Sequence, residues 1–483
     1  MSEVPWKQVE EVFTSGGELV TSSRLVKPGD VFVALPGSSK HGAEFLSDAL
    51  SRGASFALVP RDYPLAEEPR ERLVPVEDIR AALGELARLR YGTSGLPFTL
   101  LGVTGTNGKT TVSYLLEHLL QRAGFRVGLL GTISYRWPGH QEAAGLTTPD
   151  CPSVHGILSR MAHSGVDVAC MEVSSHALQQ DRVAGLCFDA ALFTNLSPEH
   201  LDYHGSLEDY FASKSRLFTH YLSQQGTAVI NLDDAYGRRL QDCCSRVLGY
   251  TLNREAAGAE NTLRAKLLSA DRKGVSLQME YASRSWRVDS PLIGKHNASN
   301  LLAVQAAGLT LGLGDEDFAC LSEFQGVPGR LEWVANDLGL DVFVDYAHTP
   351  DALQNLLSAV RELDYGRILV VFGCGGDRDR EKRPQMGRVV AQYADIAFLT
   401  SDNPRHEEPE QIMREVLPGM QQASEVIQEP DRREAIRQAL QRLQTEDVLL
   451  LVGKGHESFQ QIGEDKYEFN DMAVARECLS GCK

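Results

Sequence analysis

The stretch that decides the fold runs from Phe98 to Ala123 and reads FTLLGVTGTNGKTTVSYLLEHLLQRA. Its first part, Phe98 to Val103, is a short apolar run that predicts a buried strand. Gly105 to Thr111 is rich in glycine and predicts a tight turn. From Val112 onward apolar residues recur every three or four positions, and Gly124 is a typical helix stop, so a helix is predicted there. A strand, a glycine turn and a helix in this order predict a phosphate-binding loop.

The chemistry of such a loop comes from its backbone and from two side chains. Backbone N–H groups and the helix N-terminus bind phosphate oxygens. Lys109 is placed to contact β- and γ-phosphates, and the Thr110 hydroxyl is placed to ligate magnesium. The usual Gly-x4-Gly-Lys-Thr spacing is not met, because position 103 is Val. The alternative is a glycine-rich turn without a ligand. No Asn-Lys-x-Asp sequence occurs, which disfavours a GTPase.

Several apolar runs later in the chain predict further buried strands. They are Val166 to Cys170, Ile368 to Phe372, Ile396 to Leu399 and Val448 to Val452, and stretches of helix length separate the last three. Strands that alternate with helices predict an α/β fold with mainly parallel sheets. Active sites in such folds lie at the carboxyl ends of the strands.

The length of 483 residues is too great for one hydrophobic core. Two turn-rich stretches, Tyr91 to Pro97 and Gln325 to Gly329, are candidate linkers. We therefore expect three domains, at residues 1–97, 98–326 and 327–483.

Composition excludes several classes of protein. The apolar fraction of 42% and charged fraction of 23% are typical of globular proteins. No apolar run could span a bilayer, and the first residues lack the pattern of a signal peptide, so we expect a cytoplasmic protein without membrane insertion. The net charge of −17 argues against nucleic-acid binding. The nine cysteines form no CxxC pair, which argues against a zinc ribbon and favours reduced thiols.

The loop sequence GTNGKTT at Gly105 to Thr111 resembles that of the Mur ligase family, and the resemblance extends along essentially the whole chain. Members of this family join an amino acid to a carboxylate through an acyl phosphate, using ATP and Mg²⁺. The resemblance implies three domains, which bind the UDP-sugar precursor, ATP and the incoming amino acid. It implies a central P-loop parallel-sheet ATPase domain and a Rossmann-like C-terminal domain. We expect a monomer.

The resemblance also implies the ATP and metal sites. The residues implied for ATP are Gly105, Thr106, Asn107, Gly108, Lys109, Thr110, Thr111, Asn297, Arg330 and Asp345. Those implied for magnesium are Thr110, Glu172, His200 and Lys214, the last as a carbamylated lysine (N6-carboxylysine). Lys109, Glu172, His200 and Lys214 are thereby the implied catalytic residues. Taken alone, His200 could be structural, Lys214 an ordinary surface lysine, and Asn297 a helix N-cap.

For the UDP-linked precursor, the resemblance implies contacts from Ser23, Thr147, Thr148, Ser174, Gln180 and Arg182. Gly37 to Lys40 departs from one common version of the family's next loop. Leu146 stands where some relatives have Asn. Taken alone, each of these polar residues would be interpreted as a solvated loop residue.

The segment Ser401 to Arg405, with the sequence SDNPR, is the most informative for specificity. An arginine at the end of a turn offers a planar fork for a carboxylate. In this family DNPR resembles the mark of enzymes that add meso-diaminopimelate, which carries a carboxylate that lysine lacks. The implied pocket consists of Arg378, Asp402, Asn403, Pro404, Arg405, Gly453 and Glu457. The alternative for residues 378–383 is a solvated basic loop, which Arg380 and Arg383 could represent.

The expected activity is therefore ATP-dependent addition of meso-diaminopimelate to the D-glutamyl carboxylate of a UDP-muramoyl dipeptide. Three alternatives stay open. The first is a lysine-adding ligase of the same family, and the second is a folylpolyglutamate-type ligase. The third, from another class, is a P-loop regulator that uses ATP as a switch.

Overall fold

The computed structural model describes residues 6–37, 40–63, 70–253 and 261–480. Contacts between Cα atoms divide the chain into two compact units. The first contains the chain up to Tyr250 together with Ala303–Gly314, and the second contains Leu263–Leu302 and the chain from Asp315 onward.

The first unit begins with a small parallel sheet. Its elements are α1 (Trp6–Thr14), β1 (Leu19–Val20), β2 (Val31–Val33), α2 (Leu46–Ser51), β3 (Phe56–Pro60), β4 (Leu73–Val76) and α3 (Ile79–Tyr91). The strand order is β1-β2-β3-β4, and every pair is parallel. Helix α3 begins after its N-cap Asp78 and ends at Gly92, whose φ of 68° favours glycine.

The larger sheet of the first unit contains the phosphate loop. Its elements are β5 (Thr99–Thr104), α4 (Lys109–Arg122), β6 (Val127–Leu130), β7 (Ser134–Trp137), β8 (His140–Ala143), α5 (Cys151–His163), β9 (Val168–Glu172), α6 (Ser175–Gln179), β10 (Phe188–Phe193), α7 (Leu201–His204), α8 (Leu207–Thr219), β11 (Leu222–Asn231), α9 (Ala235–Gln241) and β12 (Val247–Thr251). The parallel order is β12-β11-β10-β5-β9-β6, after which β7 and β8 are antiparallel. The carboxyl ends of β5 and β9 therefore lie side by side.

The second unit contains an antiparallel ribbon and a parallel sheet. Its elements are β13 (Thr262–Asp271), β14 (Gly274–Tyr281), β15 (Arg284–Ser290), α10 (Lys295–Thr310, which continues into the first unit), α11 (Asp315–Phe318), β16 (Glu332–Trp333), β17 (Asp341–Asp345), α12 (Pro350–Arg361), β18 (Ile368–Phe372), α13 (Lys382–Tyr393), β19 (Ile396–Leu399), α14 (Pro409–Val416), β20 (Val426–Gln428), α15 (Arg432–Arg442), β21 (Val448–Val452), β22 (Phe459–Ile462), β23 (Asp465–Glu468) and α16 (Asp471–Ser480). The order β16-β17-β21-β18-β19-β20 is parallel except at β16.

Apolar residues cover both faces of this second sheet. Along β17, Val342 and Val344 belong to one buried cluster, whereas Phe343 belongs to another. Successive side chains of a strand point to opposite faces, so the two clusters lie on opposite sides of the sheet. This two-sided burial explains why the strands read as continuous apolar runs.

The predicted α/β fold with mainly parallel sheets is confirmed. Strands β18, β19 and β21 have the predicted bounds, and α4 is followed by Gly124 with φ of 90°. Two strands are shifted: β5 comprises Thr99–Thr104 where Phe98 to Val103 was predicted, and β9 comprises Val168–Glu172 where Val166 to Cys170 was predicted. The N–H of Val166 donates to the carbonyl of Met161, so Val166 still belongs to the turn that ends α5. Among the described residues, no helix is both long enough and apolar enough to cross a membrane.

Candidate active site

The phosphate loop, Gly105 to Thr111, connects β5 to α4. Gly105 has a φ of 149°, and a Cβ there would come 1.9 Å from the hydroxyl oxygen of Thr194, so the position requires glycine. Gly108, with a φ of 88°, is the N-cap of α4. The first N–H groups of a helix have no carbonyl partner within it and form an anion site. The loop therefore has the geometry of a phosphate site.

The loop is anchored by two residues that follow β10. The backbone N–H of Thr106 donates to the Asn195 carbonyl (2.8 Å), and that of Asn107 donates to Asn195 Oδ1 (2.9 Å). The Thr194 hydroxyl donates to the carbonyl of Asn107 (2.6 Å). These bonds fix the loop conformation.

Lys109 is the first residue of α4, and its side chain spans the loop. Its Nζ donates to the carbonyls of Gly105 (2.8 Å) and Thr106 (2.9 Å). The predicted phosphate-binding lysine and the predicted loop are therefore brought together. Thr111 follows in the first turn of the helix.

The carboxylate of Glu172, at the end of β9, is completely buried beside the loop. It accepts hydrogen bonds from the Thr110 hydroxyl (3.0 Å), the Ser113 hydroxyl (3.4 Å), and both the N–H (3.0 Å) and the hydroxyl (2.9 Å) of Thr132. Buried polar groups are normally satisfied in this way. The hydrogen bond between Thr110 and Glu172 brings together two of the side chains predicted to bind magnesium through oxygen. Thr132 was not predicted, because a single threonine after a strand carries no sequence signal.

Lys214, on α8, is buried under the loop with 1% of its surface exposed. Its Nζ donates to the carbonyl of Gly105 (2.8 Å), which also accepts from Lys109. Burial, and next the positive charge of Lys109, lowers the pKa of Lys214 well below its usual value. The alternative of an ordinary surface lysine is wrong.

His200 lies just before α7 with a φ of 56°, and its side chain is 45% exposed. Its Nε2 is 3.8 Å from a carboxylate oxygen of Glu199, and its ring centre is 4.8 Å from that of His176. Among the described residues, no group of three or more His, Cys, Asp or Glu side chains is arranged to hold a metal ion. Magnesium commonly takes one or two carboxylates and completes its shell with phosphates and water. The Thr110–Glu172 pair fits that kind of site.

A cavity of about 900 Å³ lies in the first unit, and it is lined by three of the six predicted precursor residues, Ser23, Gln180 and Arg182. It is lined by Thr21, Ser22, Ser23, Arg24, Phe32, Leu35, Pro36, Gly37, Lys40, Gly42, Phe45, Arg80, Leu83, Leu146, Asp150, Cys151, Gln180, Arg182 and Tyr203. Ser23 begins a short 3-10 turn and is buried, whereas Leu146 is 51% exposed. Of the loop Gly37 to Lys40, Ser38 and Ser39 lie outside the described residues.

Two other predicted precursor residues, Thr148 and Ser174, are connected by hydrogen bonds to residues that line the cavity. The Thr148 hydroxyl accepts from the N–H of Ser174 (3.1 Å), and the Thr148 carbonyl accepts from Arg182 Nη1 (2.8 Å). Arg182 Nη2 in turn donates to Gln180 Oε1 (2.8 Å). The Ser174 hydroxyl accepts from Ala177 and is the N-cap of α6.

Thr132 connects this group with the buried carboxylate. Its hydroxyl lies 3.1 Å from that of Thr147 and donates to Glu172. The Thr148 hydroxyl donates to the backbone carbonyl of Glu172 (2.8 Å). One hydrogen-bond network therefore connects the predicted magnesium ligand Glu172 with five of the six predicted precursor residues, Thr147, Thr148, Ser174, Gln180 and Arg182.

In the second unit, Ser401 to Arg405 follow β19. Asn403 Nδ2 donates to Glu457 Oε2 (2.8 Å), and Asn403 Oδ1 accepts from Lys454 Nζ (3.1 Å) and from the N–H of Gln461 (2.9 Å). A Cβ on Gly453 would come 2.8 Å from a carboxylate oxygen of Asp402. Four predicted pocket residues, Asp402, Asn403, Gly453 and Glu457, are thus adjacent.

The backbone of Arg405 is clamped by β22 and the turn after it. Its N–H donates to the Gln461 carbonyl (3.0 Å), and its carbonyl accepts from Gly463 (2.7 Å). Its Nη1 donates to the carbonyl of Gly376 (2.7 Å). A Cβ on Gly375 would come 3.0 Å from Arg405 Nη1 and 3.7 Å from Arg378 Cγ, so the two predicted arginines flank this glycine turn.

The basic run 378–383 divides into exposed and buried arginines. Arg380 is 63% exposed, as a solvated loop requires. The Arg383 side chain is completely buried and forms ion pairs with Glu407 (2.8 Å) and Glu415 (2.7 Å). Hydrogen bonds from Arg383 lower the pKa of Glu407 to about 2. The solvated-loop alternative is therefore wrong for Arg383.

The three remaining residues predicted for ATP also lie in the second unit. Asn297 is inside the first turn of α10, and its Nδ2 donates to the Ile293 carbonyl (2.8 Å), so the N-cap alternative is wrong. Asp345 ends β17 and accepts from the backbone N–H groups of Leu331 (2.8 Å) and Ala347 (2.8 Å). Burial raises the pKa of Asp345. The Arg330 guanidinium lies 5.2 Å from the centre of the Tyr346 ring.

Comparison with known proteins places the chain in a family. Three family models match it: the Mur ligase family catalytic domain at 18–91, the Mur ligase middle domain at 103–308, and the Mur ligase glutamate ligase domain at 329–455. The chain belongs to the Mur ligase family, as its phosphate loop predicted.

Individual relatives match over nearly the whole chain. A UDP-N-acetylmuramoyl-L-alanyl-D-glutamate–2,6-diaminopimelate ligase of Lawsonia intracellularis is 49% identical and covers 100% of both chains. A ligase of the same name from Synechococcus elongatus is 44% identical over 96% of this chain and 93% of its own. A solved structure of that name is 32% identical, with a TM-score of 0.70 over 96% of this chain and 95% of its own.

Proposed function

We propose that the chain adds meso-2,6-diaminopimelate to the D-glutamyl carboxylate of UDP-N-acetylmuramoyl-L-alanyl-D-glutamate, with release of ADP and phosphate. The observation that carries the choice of amino acid is the pocket around Asn403. Arg405 offers a guanidinium fork, and Glu457 offers a carboxylate that accepts a hydrogen bond from Asn403, two residues before Arg405 in the chain. The distal end of diaminopimelate carries one carboxylate and one ammonium group, which complement these two charges. Relatives with this activity in their names match 96–100% of the chain.

The reaction requires activation of the glutamyl carboxylate, since oxide is a very poor leaving group. In the proposed mechanism ATP lies on Gly105, Thr106, Asn107, Gly108, Lys109, Thr110 and Thr111. Its γ-phosphoryl group is transferred to the carboxylate, the amine attacks the acyl phosphate carbon, and phosphate leaves as the amide bond forms. Lys109 stabilises the charge on the transferring group. Thr110, Glu172 and His200 would hold magnesium, which would neutralise negative charge on the phosphates.

We further propose that Lys214 is carbamylated and holds a second magnesium ion. Carbamylation requires a neutral amine, and the lowered pKa of Lys214 favours that form. The product is an anion in place of a cation, which removes the repulsion between Lys214 and Lys109 at the Gly105 carbonyl.

The other predicted residues complete the proposal. Ser23, Thr147, Thr148, Ser174, Gln180 and Arg182 would bind the precursor. Asn297, Arg330 and Asp345 would contact ATP, and Arg378, Asp402, Pro404 and Gly453 would complete the amino-acid pocket. We retain domains at 1–97, 98–326 and 327–483. We also propose that the protein is cytoplasmic, since the reaction consumes ATP, and that it is a monomer. The net charge of −17 supports the absence of nucleic-acid partners.

One assay separates this function from its alternatives. Phosphate release is measured with ATP, the UDP-linked dipeptide, and either meso-diaminopimelate, lysine or no amino acid. We expect release that requires both the dipeptide and diaminopimelate. Preference for lysine would identify the lysine-adding alternative. Release with a folate and glutamate would favour the folylpolyglutamate type, and ATP hydrolysis independent of all acceptors would favour a regulator.

A further inference from the structure

Lys454 is a fully buried lysine that no step of the proposed reaction uses. It follows β21 between Gly453 and Gly455, whose φ angles are 110° and 52°. A Cβ on Gly455 would come 2.7 Å from the Cβ of Tyr346, so the turn has no room for a larger residue. The turn directs the Lys454 side chain into the protein, where a cation is costly unless it is paired and hydrogen-bonded.

Every N–H of this ammonium group is used. Lys454 Nζ donates to Asn403 Oδ1 (3.1 Å), Glu457 Oε2 (3.0 Å) and the Phe459 carbonyl (2.7 Å). An ammonium has three donors, so its capacity is filled. Glu457 Oε2 also accepts from Asn403 Nδ2 (2.8 Å), which closes a triangle of hydrogen bonds between Lys454, Asn403 and Glu457.

The triangle engages only one oxygen of Glu457. Within the described parts of the chain, no hydrogen bond reaches Oε1 of this carboxylate. The Glu457 side chain is 23% exposed, so it has access to solvent. A carboxylate held through one oxygen by a cation and an amide keeps a fixed orientation, and its second oxygen is left for another donor.

We propose that Lys454 is a positioning residue for recognition of the distal ammonium group of the incoming amino acid. It acts through Glu457, because it holds Oε2 so that Oε1 accepts from the substrate. A purely structural role for Lys454, as a strap to the Phe459 carbonyl, would stabilise the turn without affecting one substrate more than the others. The inference rests on the proposed function, in which Glu457 binds diaminopimelate.

The first test compares Lys454→Met with Lys466→Met, which removes the same charge from an exposed position on β23. We expect Lys454→Met to raise the KM for diaminopimelate about 30-fold or more, as loss of one partner of a buried charge pair does. The kcat at saturating diaminopimelate and the KM values for ATP and the dipeptide should stay within about threefold. Lys466→Met should behave as the wild type. An unchanged KM for diaminopimelate in folded Lys454→Met would overturn the inference.

The second test is a double-mutant cycle with Glu457→Gln. If Lys454 acts through Glu457, the double variant should have the same KM for diaminopimelate as Glu457→Gln alone. Multiplying effects would show that Lys454 acts independently and would overturn the inference. Should Lys454→Met not fold, Lys454→Gln keeps one donor for Glu457 and should give an intermediate KM, whereas a wild-type KM would contradict the proposal.

The two proposals fail differently. Wild-type enzyme that releases no phosphate in response to diaminopimelate contradicts the proposed function. Diaminopimelate-dependent release that is insensitive to Lys454 contradicts only the positioning role.

Discussion

The phosphate loop and the proposed amino-acid pocket both lie at the carboxyl ends of parallel strands, but they are assembled in different ways. The loop is one contiguous segment, Gly105 to Thr111, fixed by bonds from Thr194 and Asn195. The pocket combines three segments that are distant in sequence, around Gly376, Asn403 and Glu457. A site built from one segment performs chemistry that many proteins share, whereas a site built from several can change its specificity one segment at a time.

This difference predicts different kinetic consequences. Changes near the phosphate loop should lower kcat, because they remove stabilisation of the transferring phosphoryl group. Changes in the pocket should raise the KM for one substrate. A phosphate-loop variant that changes only the KM for diaminopimelate would contradict this expectation.

The largest effect is expected for Lys109→Ala. Loss of its ammonium should lower kcat about 10³-fold or more, because preorganised charge stabilises the transition state. Steady-state phosphate release measures the effect, and circular dichroism checks the fold. Gln121→Ala, at an exposed position of the same helix, is the matched control and should be fully active. Near-normal turnover by folded Lys109→Ala would refute the ATP assignment.

Lys214→Ala should lower kcat about 10²- to 10³-fold, since it removes the proposed carbamate. Partial recovery with added acetate, and none with chloride at the same ionic strength, is expected because a small carboxylate can occupy the vacated space. Mass spectrometry under native conditions would test the modification directly. Full activity without an additive would leave Lys214 as a buried structural lysine.

Arg405→Ala tests the proposed amino-acid pocket. We expect the KM for diaminopimelate to rise about 10²-fold, which corresponds to a loss of about 3 kcal/mol for a desolvated charge pair. Arg405→Lys should recover little, because an ammonium lacks the planar fork. The KM values for ATP and the dipeptide should change far less. Lysine should be a very poor substrate of the wild type, since it leaves the fork unpaired. A defect confined to ATP would contradict the assignment.

The smallest effect concerns stability and not catalysis. The pKa of Glu407 is lowered to about 2, so its carboxylate stabilises the folded state above its usual pKa near 4.5. That contribution is lost as the pH falls from about 4.5 towards 2. Glu407→Gln should reduce the free energy of unfolding by about 1–3 kcal/mol at pH 7. Denaturant titrations of both proteins should show this difference shrinking at low pH, and a constant difference would contradict the ion-pair explanation.

The sequence predicted β18, β19 and β21 because each is an apolar run between turn residues, whereas the antiparallel strands β13, β14 and β15 contain many polar and charged residues and were not predicted. Strands β18 and β21 have their predicted bounds for this reason, and the phosphate loop was recognised because its residues are adjacent. Arg383 and Lys454 could not be assigned from the sequence alone. Whether a basic residue is solvated or buried depends on partners such as Glu407 and Glu457, which the fold brings from elsewhere in the chain. The sequence did contain one signal for Lys454, because a lysine between two glycines directly after a strand, as in Gly453-Lys454-Gly455, indicates a tight turn at the strand's carboxyl end.

The closed triangle around Glu457 also bears on handedness. Two hydrogen-bond donors orient the Glu457 carboxylate, and hydrogen bonds to Gln461 and from Gly463 hold the backbone of Arg405. Neither residue can therefore move freely to fit a substrate of the opposite configuration. On the proposed function, the carbon at the far end of the substrate is bound through its ammonium, its carboxylate and its alkyl chain. Three fixed attachments distinguish a stereocentre from its mirror image. On this proposal the pocket distinguishes the configuration of that carbon as well as its charges. The isomer with the opposite configuration there should be a poorer substrate than meso-diaminopimelate.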